Sequence, residues 1–302
     1  GACEFNLLKD YFVTYAAYPG ETPIICGGKR IINWEKTDEG KWKVPVEEIE
    51  VNKLIANGKE QILARTPNEG YFTPAETPSK DTVFKFREGD LKKWSNMENN
   101  KIHFLLRWHE GINSILEIDE ENNLVYLAKP EKGILEVPPR YYIENVEELL
   151  DAPGEWFFDK GTGILNYIPE KGIDDPNEAF IIVPLLNQLL EIRGKPNNPV
   201  RNLRFYNLTF LGTDGGSTTV SFEYAKNCEF VSSKITCVGG TALSIGKGCY
   251  QTRILNNTID NAEGGGITIV GNPYPNWVDL IDETIVSYNY IANLWRSEPL
   301  RV

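Results

Sequence analysis

Three carboxylates in the last third of the chain, Asp214, Asp260 and Glu263, are the residues best suited to chemistry. Two carboxyl groups flanking a glycosidic bond can cleave it, retaining configuration when about 5 Å apart and inverting it when about 6.5–9.5 Å apart. Near them stand Tyr274, Trp277 and Trp295, whose apolar ring faces can stack on sugars, and Arg296, which can orient a carboxylate. Glu263 runs directly into Gly264-Gly265-Gly266, where a ligand can approach the backbone or the chain can turn a tight corner. Each residue also has a structural reading: acids in turns cap backbone N–H groups or face water, aromatics plug loops, and an arginine joins a surface ion pair.

A repeat brings these acids together. Phe205 to Phe210, Phe230 to Ile235, Ile254 to Ile259 and Val286 to Ile291 hold the same six-residue frame, at offsets of 25, 24 and 32 residues. The third offset is a 24-residue unit with an insertion at 271–277, which contains Tyr274 and Trp277. A second strand-like run keeps the period in Val220-Ser221-Phe222, Ala242-Leu243-Ser244-Ile245 and Gly266-Ile267-Thr268-Ile269, so two strands recur per repeat. Short alternating runs parted by Asn and Gly every ~24 residues predict a parallel β-solenoid, each coil burying its inward side chains on its neighbours.

In this register Phe210, Ile235, Ile259 and Ile291 are equivalent, and four residues further on lie Asp214, Gly239, Glu263 and Trp295. Coils stack at ~4.8 Å, so Asp214 and Glu263 stand about 9.6 Å apart across side-chain-free Gly239. Asp260 stacks on Thr236 and crowds Glu263 in one turn, where a like charge favours the protonated acid.

Upstream, Ala179-Phe180-Ile181-Ile182-Val183 and Leu189-Leu190-Glu191-Ile192 read as one more coil, and Tyr11 to Ala16 with Pro23-Ile24-Ile25 has a similar strand, turn, strand layout. Between these pieces the pattern changes to hairpins. Asn57-Gly58 is the strongest turn signal, followed by the pairs Ser114 to Ile118 with Leu124 to Leu127, and Trp156-Phe157-Phe158 with Ile164 to Tyr167. Helix is expected only near Asp90 to Trp94 and Val146 to Leu150. The expected organisation is all-β: first β-helix strands in 1–28, an inserted β-rich, sandwich-like domain in 29–178, and β-helix coils in 179–302.

The 302 residues are enough for about two domains. A net charge of −12 disfavours nucleic acid and anionic lipid, and the longest apolar run, 179–186, contains Pro184 and is far too short to span a membrane. Five cysteines without a CxxC spacing predict mainly buried free thiols and no metal site. His103 and His109 both lie in the inserted block, away from the candidate acids, and read as structural. Gly239-Gly240 and Gly264-Gly265-Gly266 precede no helix and are not phosphate loops. No cofactor is implied, and the sequence does not set an oligomeric state.

Tyr18-Pro19-Gly20-Glu21, Gly27-Gly28-Lys29-Arg30-Ile31, Ala56-Asn57-Gly58-Lys59 through Asn68, Gly154-Glu155-Trp156-Phe157-Phe158-Asp159 through Leu165, and Asn202 to Phe210 together resemble large bacterial right-handed parallel β-helix proteins similar to glycoside hydrolase families 141 and 120. The resemblance covers nearly the whole chain. It implies a right-handed β-helix, a glycoside hydrolase acting on complex plant or bacterial polysaccharide, and a secreted, periplasmic or cell-surface place, although the given residues show no signal-peptide pattern. Such proteins carry further coils on both sides, so the chain is expected to be an internal fragment with an open strand edge at its end. Two other readings are a polysaccharide lyase, which needs a basic residue or a Ca²⁺ cluster on the solenoid face to acidify a uronate, and a noncatalytic glycan-binding solenoid. Lys226, Lys234, Lys247 and Arg253 do not share one register, which counts against the lyase.

Overall fold

The computed structural model describes residues 11–76, 80–106, 110–135, 139–271 and 279–294. The chain is nearly all β and divides into two compact units, one drawn from Gly1–Arg30, Ile55–Glu60 and Ile181–Leu300, the other from Ile31–Leu54 and Gln61–Phe180.

The first unit is a parallel β-helix with three sheets. Val13–Ala16, Leu203–Tyr206, Glu229–Val231, Arg253–Leu255 and Ile285–Ser287 stack in the first. Ile24–Cys26, Thr209–Thr213, Lys234–Val238, Thr258–Ala262 and Tyr290–Leu294 stack in the second. Leu190–Arg193, Val220–Glu223, Thr241–Ile245 and Gly265–Ile269 form the third. The six-residue frame of the sequence is therefore two strands folded about a turn, and a full described coil adds a third strand, with Val200–Arg201 and Ala225–Lys226 pairing in parallel as a further short ladder. The break comes at Asn207, Ser232, Asn256 and Tyr288, all in the left-handed backbone region with φ of 50–57°, which ends one strand and re-aims the next.

The expected register holds. Phe210 pairs with Ile235, Ile235 with Ile259, and Ile259 with Ile291. Phe205, Phe230, Ile254 and Val286 form the matching column of the first sheet. Inside the turn between these sheets runs a polar ladder: Leu208 N–H donates to Ser233 Oγ (3.1 Å), Ser233 N–H to Asn257 Oδ1 (2.9 Å) and Asn257 N–H to Asn289 Oδ1 (2.9 Å). Asn257 Nδ2 also donates to the Phe230 carbonyl at 2.9 Å. These side chains satisfy backbone groups that the tight turn leaves without sheet partners.

The first coil is interrupted. Its strands Val13–Ala16 and Ile24–Cys26 pair in parallel with Leu203–Tyr206 and Thr209–Thr213, and Leu190–Arg193 later joins the third sheet beside Val220–Glu223. Ile181–Pro184, read from sequence as part of a further coil, instead pairs antiparallel with Gly28–Arg30 and Ile55–Ala56. An apolar run buried on both faces looks the same in either setting. Asn57 (φ 49°) and Gly58 (φ 77°) form the expected turn, but its second arm is Lys59–Glu60, paired with Ile55–Ala56, while Ile62–Leu63, expected as that arm, pairs in parallel with Glu155 and Trp156.

The second unit is built of mainly antiparallel sheets around Phe84, Phe104 and Tyr141, with ring centroids 5.0 Å apart for Phe84–Tyr141 and 5.7 Å for Phe84–Phe104. The hairpins Ile115–Asp119 with Leu124–Leu127 and Glu155–Asp159 with Ile164–Tyr167 form as expected. The region 90–94 is not a helix. Leu91 and Trp94 have helical spacing, but they plug the core from a turn, and so short a segment cannot recover the cost of helix nucleation. At 146–150 a single 3-10 turn, Glu147–Leu149, is present.

Asn257→Ala is expected to destabilise the first unit by about 2–4 kcal/mol, because it strands the buried Ser233 N–H and Phe230 C=O. Urea unfolding of the variant checks this, and a change under about 0.5 kcal/mol would remove the ladder from the account of the fold.

Candidate functional site

The outer face of the third sheet carries an open groove of about 730 Å³. Alternation along its strands sends Leu190, Ile192, Val220 and Phe222 inward and leaves Glu191, Ser221 and Ser244 outward, in register with one another and with Thr268. Gln188 Nε2 donates to Ser221 Oγ at 2.8 Å. Arg193 lies 2.7 Å from Glu191 Oε1 through Nη2 and 3.2 Å from Glu223 Oε2 through Nε. Lys247 Nζ lies 3.4 Å from Glu223 Oε1, and its hydrogen bond to Glu223 raises the lysine pKa above its ordinary value. Beside it Tyr224 OH donates to Asp279 Oδ1 at 2.5 Å, a bond that pushes the phenol pKa up. The groove thus presents hydroxyls, an amide and an alternating set of charges, which suits a hydroxyl-rich ligand.

Gly216, Ser217 and Thr218 also line the groove, and they belong to the loop 214–219 that starts at Asp214. Two buried threonines anchor this loop: Thr213 Oγ1 lies 3.3 Å from Thr219 Oγ1 and accepts from Gly239 N–H at 3.1 Å. Thr213, Val238 and Ala262 are in register, so the following Asp214, Gly239 and Glu263 stack as one column where the second sheet turns into the third. Gly239 N–H donates to Thr213 O and Glu263 N–H to Val238 O, both at 3.0 Å. Asp214 N–H donates to Leu186 O at 3.0 Å, and its Oδ1 is withdrawn from solvent.

Asp260 stands on the outer face of the second sheet, in register with Thr236, and accepts from Asn293 Nδ2 at 2.6 Å. Tyr274, Trp277, Trp295 and Arg296 lie outside the described residues. So does His109.

The glycines next to the acids serve packing. A Cβ at Gly239 would clash with the Asp214 carbonyl, and one at Gly264 would come within 2.7 Å of the Gly240 backbone. One at Gly266 would come within 2.6 Å of Ile291. Only at Gly265 is there ordinary space, with Thr241 Oγ1 the nearest atom at 3.8 Å. The triplet is chiefly a tight corner between coils.

Sequence reasoning missed Gln188, Glu191, Arg193, Ser221, Glu223 and Ser244. The signal is alternation: Glu191, Arg193, Ser221, Glu223 and Ser244 are the polar residues of strands with apolar neighbours, whereas Gln188 lies before its strand and carries no such pattern.

Among the described residues no group of three or more His, Cys, Asp or Glu could hold a metal ion, and no helix is long and apolar enough to cross a membrane. Four described cysteines are free, with Cys228, Cys237 and Cys249 buried. Burial pushes the Cys228 thiol up to about 11, which makes it a poor nucleophile.

A further displaced titratable group, His103, lies in the second unit. Its ring nitrogens meet Glu110 and Glu144, the latter at 3.0 Å, and it stacks on Tyr142 at 4.5 Å between centroids. Burial alone would lower its pKa, but the hydrogen bonds to the two carboxylates overcome this and raise it to about 9. The arrangement is a buried ion cluster that braces Lys101–Leu105 against Arg140–Glu144.

No family model matches the chain, and no curated protein sequence matches it. Among solved structures, one described as "Glycoside hydrolase" superposes with a TM-score of 0.76 at 17% identity, over 94% of this chain and 65% of its own length. A second, described as the complex of XylC with xylose, has a TM-score of 0.48 at 13% identity, over 97% of this chain and 46% of its own. The first likeness shows the fold alone, an all-β chain with a parallel β-helix. The chain spans a little under two-thirds of that protein's length.

Two expectations follow. Gly239→Ala, which drives a methyl group into the Asp214 carbonyl, should destabilise the first unit by about 1–3 kcal/mol in denaturant titration; an unchanged midpoint would contradict the close stacking. For His103, a raised folded pKa means its stabilisation is full below the unfolded value of about 6.5 and is lost as pH rises through about 9. Melting of the second unit should therefore weaken by on the order of 3 kcal/mol across that window, and His103→Gln should flatten the dependence. Equal pH slopes in the two proteins would show that His103 is not the group responsible.

Proposed function

We propose that the chain belongs to a carbohydrate-active enzyme, a glycoside hydrolase that binds a polysaccharide in the groove and cleaves it with Asp214 and Glu263 as paired carboxylates. What supports this reading is the Asp214–Gly239–Glu263 column, whose backbone positions stand two ladder spacings, about 9.6 Å, apart, with the loop that follows Asp214 lining the hydroxyl-rich groove. That backbone spacing lies at the upper limit of the inverting range and well beyond the retaining one. Glu191 and Glu223 suit binding better than acid–base work, because both are held by groove cations. Asp260 is assigned to modulate Glu263, and Tyr274, Trp277, Trp295 and Arg296 to contact sugar. The substrate is a plant or bacterial glycan, which places the protein outside the cytoplasm or at the cell surface. The resemblance to families 141 and 120 and the named neighbour support the same class.

A second reading, polysaccharide lyase, draws on Arg193 and Lys247 in the groove. The raised pKa of Lys247 argues against it, since a base must give up its proton near neutral pH.

On a glycan panel, the wild-type chain should release reducing ends without unsaturated-uronate absorbance. Asp214→Asn and Glu263→Gln should each lower kcat/KM by at least about 100-fold with an unchanged melting temperature. Activity within a few-fold of wild type in both variants would remove the carboxylate pair.

A further inference from the structure

The second unit holds a separate cavity of about 310 Å³. Its floor is apolar, with Val51, Trp156 and Phe158 all buried. Its rim is polar: Asn99, Asn145, Ser114, Lys101 and Lys160 all line it.

The rim is built rigidly. Asn100 pins its turn to the strand Ile115–Asp119, donating through Nδ2 to Ile115 O (2.9 Å) and accepting from Ile115 N–H through Oδ1 (2.7 Å). Asn145 Nδ2 donates to Asn99 O at 2.7 Å, tying a second edge to the same turn. Asn99 (φ 67°) and Asn145 (φ 64°) both hold the left-handed conformation, which shapes the turns that carry their amides. Among the described residues neither the Asn99 amide nor the Ser114 hydroxyl makes a side-chain hydrogen bond to protein. Free donors and acceptors arranged over an apolar floor match a pyranose, whose hydroxyls both donate and accept and whose ring presents C–H faces. The volume stands at the low end of the roughly 300–1,000 Å³ of ligand sites, room for one sugar ring.

Charge narrows the ligand. In a chain of net charge −12, the cavity is lined by two lysines and no carboxylate. Lys160 is held by Glu50 at 2.6 Å from beyond the lining, and Lys101 lies a loose 3.9 Å from Glu144 with half its side chain exposed. Each ammonium thus already faces one carboxylate, but it carries three N–H donors and both side chains are half exposed, which leaves donors for an anion that enters over the floor.

We infer that this cavity binds a single uronic-acid residue of a glycan, with its hydroxyls on Asn99, Asn145 and Ser114 and its carboxylate on Lys101 and Lys160. The site is noncatalytic, and its standing is independent of the reading of the groove.

Titration of the full chain with methyl glucuronide, methyl glucoside and acetate, followed by calorimetry and ligand-observed NMR, tests this. The glucuronide should bind with a Kd of about 1 mM and the other two at least about ten-fold more weakly. Asn99→Gly, which keeps the left-handed backbone but removes the amide, and Lys160→Gln should each weaken glucuronide binding about ten-fold, the scale of one charge-assisted hydrogen bond. The groove variants Arg193→Gln and Lys247→Gln should leave it unchanged. No saturable glucuronide binding, binding equal to that of acetate, binding insensitive to both cavity variants, or binding lost in the groove variants would each overturn the inference. The groove variants also separate failure here from failure of the hydrolase reading, which is judged on Asp214 and Glu263.

Discussion

Parallel stacking makes every position in the β-helix a neighbour of itself, about 4.8 Å away in the next coil. Each column must therefore be compatible with its own repetition, and like charges directly opposite in adjacent coils cost stability. Arg201 stacks on Lys226 against this tendency, but other outward columns follow it. Arg204, Glu229 and Arg253 alternate in sign, with Glu229 accepting at 2.7 Å from one arginine and 3.2 Å from the other. Arg193 faces Glu223 in the same way. Neutral columns repeat freely: apolar side chains inside, and Ser233, Asn257 and Asn289 in the turn. The same rule explains why two acids in one column are parted by glycine, as Asp214 and Glu263 are by Gly239.

The turn that carries those acids is also a place where backbones approach closely. Loop 214–219 drapes over Gly239 and Gly240, whose missing side chains leave just enough room for the Asp214 and Ser217 backbones. Here backbone packing and the placing of two carboxylates are one arrangement, so the column cannot drift without loss of fold. The groove is shaped differently. Its charged side chains are long and paired across strands, and they form a polar surface adapted to hydroxyls rather than a pair of isolated acids.

Buried charge follows another logic in the second unit. His103 lies between two glutamates, and Arg65, itself buried, stacks at 4.1 Å over the Tyr142 ring that also receives His103. Such a cluster persists when each charge has partners, and removing one leaves others uncompensated. Its role is therefore to fix strand pairing within this unit.

Much of the fold was legible because period is a local property of sequence. The recurrence of Phe205, Phe230, Ile254 and Val286, and of Phe210, Ile235, Ile259 and Ile291, follows from the need to bury each coil on the next, and it determined the register that stacks Asp214 over Gly239 and Glu263. Asn57-Gly58 likewise determined a hairpin through its own backbone preferences. What depends on distant partners was not legible. Ile181–Pro184 joins antiparallel strands from residues 28–30 and 55–56 rather than a coil, because an apolar run has no means of naming its partner. Leu91 and Trp94 have helical spacing but meet the core from a turn. The groove and the 310 Å³ cavity belong to the tertiary structure alone: each is lined by residues scattered along the chain, and only the completed fold decides which polar side chains share a surface.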